Sequence, residues 1–99
     1  MRYRNVIGRQ LAKLRYQRSL SQSDLARKLQ LAGWDISRSE ISKIEMRIRE
    51  VKDWQMVILT EVFKVPHEAF YPKFDPNMRF TEAFSEQMKS RSPNKKLPQ

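Results

Sequence analysis

Residues 21–26 read SQSDLA, and residues 36–45 read ISRSEISKIE. In each stretch a serine is followed three residues later by an acidic side chain, the pattern of a capping box, in which serine and acid bond backbone amides at a helix start. Apolar residues then recur every three or four positions, which is the periodicity of an amphipathic helix. The two stretches therefore predict two closely spaced helices, capped by Ser21 and Ser37.

The residues before these stretches predict another helix. Ile7, Leu11 and Leu14 fall at positions i, i+4 and i+7, so residues from about 4 to 18 are expected to form an amphipathic first helix. Gly33 is the expected end of the second helix, since glycine adopts the left-handed conformation that ends many helices. These assignments give three helices within the first half of the chain.

The third helix is expected to turn one side to the core and to be followed by two more helices. Its core side carries Ile41, Ile44 and Ile48. A fourth helix begins at a capping Asp53 and ends before Val65 and Pro66, and Pro66 starts a short fifth helix through residue 70. The apolar side of the fourth helix comprises Met56, Leu59 and Phe63, with Ile58 and Val62 beside them. No stretch alternates like a strand, so the sequence predicts an all-α, five-helix domain.

A change in composition marks the end of this domain. Beyond Pro72 the chain becomes rich in proline, and residues 90–96 read SRSPNKK, which cannot support a packed core. We therefore predict a domain over residues 1–72 and a basic C-terminal extension over residues 73–99, with a disordered end.

Three apolar residues stand out within the extension. Phe80, Phe84 and Met88 fall at i, i+4 and i+8, and Thr81 could cap a helix over about residues 81–91. One interpretation is a helix that docks on its own domain or on a second copy. The other is a loose segment with incidental apolar residues.

The charge of the chain points to a polyanionic partner. The 99 residues contain 20 Lys and Arg against 11 Asp and Glu, a net charge of +9. Residues 1–20 carry +6, whereas residues 21–50 carry only +1. A strongly basic small domain favours nucleic acid as the first partner to consider, with the excess charge supplying attraction to phosphates.

Several classes of protein are disfavoured by composition. The chain has no cysteine, which excludes disulfide frameworks, zinc fingers and thiol catalysis. The all-aliphatic run at residues 56–59 is far shorter than the roughly 18 residues of a membrane span, and the first residues lack a secretory signal, so the cytoplasm is the expected compartment. His67 has no metal-binding or triad partners, and we expect neither an enzyme nor a metal nor any other cofactor.

Five motifs in order give a family resemblance. The chain resembles the lambda-repressor-like helix-turn-helix family, also called the xenobiotic-response-element family, over about residues 6–71. The motifs are Ile7-Gly8 and Leu14-Arg15, then SQSDLA, ISKIE at residues 41–45, and residues 59–65. This resemblance implies a transcriptional regulator, chiefly a repressor, that binds a palindromic DNA operator as a homodimer with its third helix in the major groove.

The third helix supplies the candidates for reading bases. Taking Ile41 as zero, Ser39, Ser42 and Lys43 lie at about 160°, 100° and 200°, opposite the core side. Arg38 lies at about 60°, but its long side chain can swing past the start of the helix toward DNA. For Arg38 the alternative to a base contact is solvation or a phosphate contact. For Ser39, Ser42 and Lys43 the alternative to a base or phosphate contact is an ordinary surface position.

A second set is expected near phosphates. The candidates are Gln22, Ser23, Arg27, Ser37, Arg47 and Arg49. The resemblance implies that Gln22 contacts phosphate while bracing the third helix, whereas helix capping is the simpler role for Ser37. The family usually has glycine soon after the position of Glu45, and this chain does not. One interpretation is that the third helix runs on and presents Arg47 and Arg49 to the phosphate backbone, and the other is that these two arginines are simply solvated.

Further expectations concern structure and partners. The resemblance implies an ion pair between Arg15 and Glu45. Trp34 and Trp54 are expected in or beside the core rather than stacked on bases, and His67 on the surface.

The candidate contacts for a dimer or another partner are Phe70, Phe80, Phe84 and Met88. The alternative function is an antitoxin or accessory protein, whose C-terminal extension binds a protein and whose DNA binding is secondary.

Overall fold

The computed structural model describes residues 3–73. The elements in chain order are α1 (Gly8–Gln17), α2 (Gln22–Leu31), α3 (Arg38–Glu45), α4 (Asp53–Phe63) and a 3₁₀ turn (His67–Phe70). The described part of the chain contains no strand, so the fold is all-α. The prediction of a fifth α-helix is wrong, because a single 3₁₀ turn takes its place.

Two prolines explain why the last element is so short. Pro66 is extended, with ψ at 161°, and lies before the turn rather than inside it. Tyr71 is also extended, with ψ at 149°, because the ring of Pro72 disfavours a helical conformation in the residue that precedes it. Only the four residues between these extended positions can coil.

The first helix begins four residues later than predicted because the side chain of Asn5 forms hydrogen bonds that hold the chain ahead of it. Its Oδ1 accepts hydrogen bonds from the backbone amides of Ile7 at 3.0 Å and Gly8 at 2.8 Å. Its Nδ2 donates to the carbonyl oxygens of Ile44 at 3.1 Å and Arg49 at 2.7 Å. One buried amide side chain thus joins the start of α1 to the end of α3.

Both predicted capping boxes are confirmed. Ser21 Oγ accepts from the amide of Asp24 at 2.9 Å, and Asp24 Oδ2 accepts from the amide of Ser21 at 3.0 Å. The same exchange joins Ser37 and Glu40, at 3.2 and 3.0 Å. At α4 the prediction was off by one residue, since the cap is Lys52 and Asp53 is the first helical residue.

All four helices end in the same way. A residue with a positive φ lies one position beyond the end of α4 and two positions beyond the ends of α1, α2 and α3. The amide that follows it bonds a carbonyl five residues back, which is the hydrogen bond of a Schellman arrangement. The left-handed residues are Ser19 (φ 55°), Gly33 (104°), Arg47 (66°) and Lys64 (54°). The predicted end at Gly33 is therefore confirmed. The extension of α3 is wrong, because Arg47 takes the conformation for which glycine is usual.

The helices share one apolar core, which explains their packing. Its buried members are Ile7, Leu11, Leu25, Ala26, Leu29, Trp34, Ile36, Ile41, Ile44, Met56, Leu59, Phe63 and Phe70. Ile48 was predicted on the core side of α3 but lies past the helix end and is 39% exposed. Trp34 is buried as predicted, and the ring of the half-exposed Trp54 packs edge-on against it, with centroids 6.1 Å apart.

The predictions for the C-terminal extension lie outside the described residues. They concern the helix over about residues 81–91 and the side chains of Phe80, Phe84 and Met88. The boundary at Pro72 likewise stays a prediction. Among the helices of residues 3–73, none combines the length and the hydropathy that a membrane span requires.

Candidate nucleic-acid interface

A buried ion pair fixes α3 against α1. Arg15 Nε donates to Glu45 Oε2 at 2.7 Å, and Arg15 Nη2 donates to Glu45 Oε1 at 3.0 Å. The hydrogen bond to Glu45 is the main reason why the pKa of Arg15 is raised. A third donor, Nη1, reaches the carbonyl oxygen of Leu20 at 2.9 Å. The end of α3 is thereby tied to α1 and to the turn that follows α1.

Gln22 completes this junction from α2. Its Nε2 donates to Glu45 Oε1 at 3.0 Å, so the first residue of α2 braces α3 through the same carboxylate. The side chain is partly exposed. The bracing agrees with what the family resemblance implies, while contact between Gln22 and phosphate stays a prediction.

The third helix has two chemically distinct sides. Ile41 and Ile44 are 0% and 1% exposed and form its core side. Three of the four candidates for reading bases, Arg38, Ser39 and Lys43, are exposed, and Ser42 is partly exposed. The structure thus brings the predicted base-reading residues together on one short helix whose opposite side is buried.

Ser37 and Ser39 lie together at the start of α3. Their hydroxyl oxygens are 3.2 Å apart, and Ser37 Oγ also accepts the amide of Glu40. Helix capping therefore occupies Ser37 in the structure. Its contact with DNA stays a prediction.

Arg47 is not presented to solvent, which corrects its assignment to the phosphate set. The residue is 6% exposed, and its guanidinium carbon lies 3.9 Å from the centre of the Tyr3 ring. Burial is the main reason why its pKa is lowered, with the positive charge of Arg9 adding to the effect. Arg47 lies in the turn after α3 with a left-handed backbone, and its side chain packs inward on Tyr3.

Arg49 forms an ion pair with Glu40 in the first turn of α3. Both side chains are about one third exposed. Glu40 therefore uses one oxygen for the amide of Ser37 and the other for Arg49. Sequence reasoning missed this pair, since the two residues are nine positions apart and belong to no local motif.

The remaining phosphate candidates lie on α2. Ser23 and Arg27 are exposed. Arg27 Nη1 is 3.8 Å from Asp24 Oδ1, and 72% of the Arg27 side chain remains accessible. A contact at that distance in solvent is weak, so Arg27 retains its availability for another anion.

Phe70 is a core residue rather than a partner contact. It is fully buried, and its ring packs edge-on against Phe63 with centroids 5.8 Å apart. The assignment of Phe70 to a dimer surface is therefore wrong. The exposed large apolar side chains of the described domain are Tyr16, Leu31, Met46, Ile48, Trp54, Val57 and Tyr71.

The described residues contain no cluster of three or more His, Asp or Glu side chains that could hold a metal ion. His67 is exposed as predicted, and its ring stacks on Tyr71 with centroids 6.5 Å apart.

Comparisons with protein-family models, curated proteins and solved structures find no match for this chain. The helix-turn-helix family therefore stays an interpretation of the motifs in the sequence.

Proposed function

We propose that this protein is a sequence-specific, double-stranded DNA-binding transcriptional regulator of the lambda-repressor-like type, acting in the cytoplasm. The observation that carries the proposal is the two-sided α3, with Ile41 and Ile44 in the core and Arg38, Ser39 and Lys43 exposed. The major groove, about 12 Å wide, admits a single α-helix whose exposed side can reach base edges. α3 would occupy that groove.

Arg38 is the strongest candidate for a base contact. It is the first residue of α3, where helix-turn-helix proteins place base-reading side chains. A guanidinium group can donate two hydrogen bonds to O6 and N7 of guanine, which is worth about 1–3 kcal/mol of discrimination against other bases. Ser39, Ser42 and Lys43 would add donors on the side of the helix opposite the core, next to the Arg38 side chain that extends past the helix start.

The start of α2 would contact the DNA backbone. The free amides of a helix N-terminus carry partial positive charge and favour a phosphate oxygen. Gln22 and Ser23 lie at this start, and Arg27 is exposed one turn farther on. Because Gln22 also binds Glu45, a phosphate held there would be linked directly to the position of α3.

We further propose that the protein binds a palindromic operator as a homodimer and represses transcription by occupying it. One α3 can read only a few base pairs, whereas two related copies about 34 Å apart would read successive major grooves on one side of the duplex. Phe80, Phe84 and Met88 remain the candidates for the dimer contact.

Selection from random DNA duplexes, repeated at several salt concentrations, tests this function. We expect enrichment of a symmetric motif by the full chain, and its loss in Arg38→Ala and Lys43→Ala. Lys28→Ala, at the far end of α2 from Gln22, removes one exposed charge as a matched control and should keep the motif. Flat selection with a steep salt dependence would contradict the proposal. Co-purification of an equimolar protein partner would favour the antitoxin or accessory role instead.

A further inference from the structure

The charges within α3 balance to zero. Arg38 and Lys43 are opposed by Glu40 and Glu45 along its eight residues. A helix that enters the groove lies between two rows of phosphates, which repel carboxylates as strongly as they attract cations. The two glutamates therefore need compensation before α3 can approach DNA favourably.

Each glutamate receives that compensation from an arginine outside α3. Glu45 is almost completely buried and paired with Arg15, so its charge is held within the domain. Glu40 differs because its side chain is 31% exposed. It lies only about 60° around the helix from Lys43, at the edge of the side proposed to read bases. Its charge is the one that DNA would meet.

The turn after α3 places Arg49 where it can neutralise Glu40. The carbonyl oxygen of Arg49 accepts a hydrogen bond from Asn5 Nδ2 at 2.7 Å, which fixes its backbone. The amide of Ile48 bonds the carbonyl of Lys43 at 3.0 Å, folding the chain back over the end of α3. From this anchored position the guanidinium group of Arg49 reaches Glu40 Oε2.

We propose that Arg49 is a positioning residue that masks the Glu40 carboxylate, so that α3 presents the charges of Arg38 and Lys43 to DNA without opposition. This inference rests on the proposed function. It differs from the sequence-based assignment, which made Arg49 a direct phosphate contact. In the masking role Arg49 acts on DNA only through Glu40, and its importance disappears when Glu40 carries no charge.

A double-mutant cycle on the full chain tests the masking role. The dissociation constant for the selected duplex is measured for wild type, Arg49→Gln, Glu40→Gln and the double variant at several salt concentrations. Glutamine at position 40 keeps the acceptor of the capping box, so α3 remains capped. We expect Arg49→Gln to weaken binding about tenfold, and the double variant to bind within about threefold of Glu40→Gln.

Two controls separate masking from a loss of folding. Thermal unfolding of each variant reports stability independently of DNA, and Arg49→Lys keeps the charge and should retain most of the affinity. If Arg49 masks Glu40, replacing Arg49 by glutamine in the Glu40→Gln background should leave the salt dependence of DNA binding unchanged.

The masking role is overturned if Arg49→Gln weakens binding equally with and without the Glu40 charge, and lowers the salt slope by about one in both backgrounds. That result would identify a direct phosphate contact. Failure of the proposed function looks different, because wild type itself would then show no preference for any duplex, and the masking role would fail with it.

Discussion

Arg15 in α1 and Glu45 in α3 form a two-point ion pair, with Nε and Oε2 2.7 Å apart and less than one tenth of either side chain exposed. Gln22 adds a hydrogen bond to the same carboxylate. Three helices therefore meet at one buried group. The orientation of α3 relative to α1 and α2 depends on this junction.

Removing the carboxylate should destabilise the domain. Glu45→Ala leaves Arg15 buried without its partner, and we expect a loss of about 3–5 kcal/mol in the free energy of unfolding, measured by urea denaturation. Glu61→Ala, which changes an exposed glutamate of α4, should stay within about 0.5 kcal/mol of wild type. A wild-type urea midpoint for Glu45→Ala would contradict the structural importance of the junction.

Gly8 is required by the close approach of α1 and α3. A Cβ atom at this position would lie 2.9 Å from the carbonyl oxygen of Glu45 and would also collide with that of Ile44. In an ordinary helix interior alanine is favoured over glycine by about 1 kcal/mol. We expect the opposite sign here, with Gly8→Ala losing about 1–3 kcal/mol in urea denaturation because the backbones must move apart.

The matched control for Gly8 is Lys13→Ala on the exposed side of the same helix. Its free energy of unfolding should change by less than about 0.5 kcal/mol. A Gly8→Ala variant as stable as wild type, or more so, would show that α1 and α3 are not in backbone contact.

Lys64 offers a route to a more stable protein. It is exposed and ends α4 with φ at 54°, a conformation that costs a residue with a Cβ atom about 1–2 kcal/mol. Lys64→Gly should raise the free energy of unfolding by about 0.5–1 kcal/mol, after allowing for the greater freedom of glycine in the unfolded chain. Lys64→Ala keeps the Cβ atom and the strain, so calorimetry should place its melting temperature below that of Lys64→Gly. The reverse order would argue against a left-handed end.

The capping carboxylates predict how stability changes with pH. A hydrogen bond from the backbone amide of Ser21 is the main cause that lowers the pKa of Asp24 below 3.8. The backbone amide of Ser37 likewise lowers the pKa of Glu40 below 4.5. The unfolded chain therefore binds more protons than the folded chain in acid, so both groups stabilise the fold above these values. Stability is lost as the pH falls from about 5 through the lowered pKa values.

Urea denaturation between pH 7 and pH 3 measures this effect. Asp24→Asn combined with Glu40→Gln removes both titrating groups, and we expect a shallower loss of stability in acid than for wild type. Identical acid profiles for the two proteins would mean that these carboxylates do not contribute.

Local signals in the sequence predicted much of this fold. Both capping boxes require only residues three positions apart, and the end of α2 at Gly33 follows from the conformational freedom of glycine. The resemblance added the Arg15 and Glu45 pair, which no local pattern specifies. These features were readable because each depends on a few neighbouring residues or on a recognised set of motifs.

Tertiary contacts explain what the sequence did not reveal. Arg47 takes a left-handed conformation against its intrinsic preference while its side chain packs on Tyr3 and its carbonyl accepts the amide of Arg4 at 2.7 Å. Asn5, three residues before α1, offered a signal for a later helix start. Arg49 offered none, because its pairing with Glu40 depends on how the turn folds back.

Replacement of single guanines by 7-deazaguanine in the selected duplex tests the central claim, that α3 reads bases in the major groove through Arg38. This substitution removes the N7 acceptor and leaves Watson–Crick pairing intact. For wild type we predict a loss of about 5- to 150-fold in affinity at one guanine of each half-site, and little loss at the same guanine for Arg38→Ala. The claim is contradicted if no guanine shows a loss of affinity that depends on Arg38.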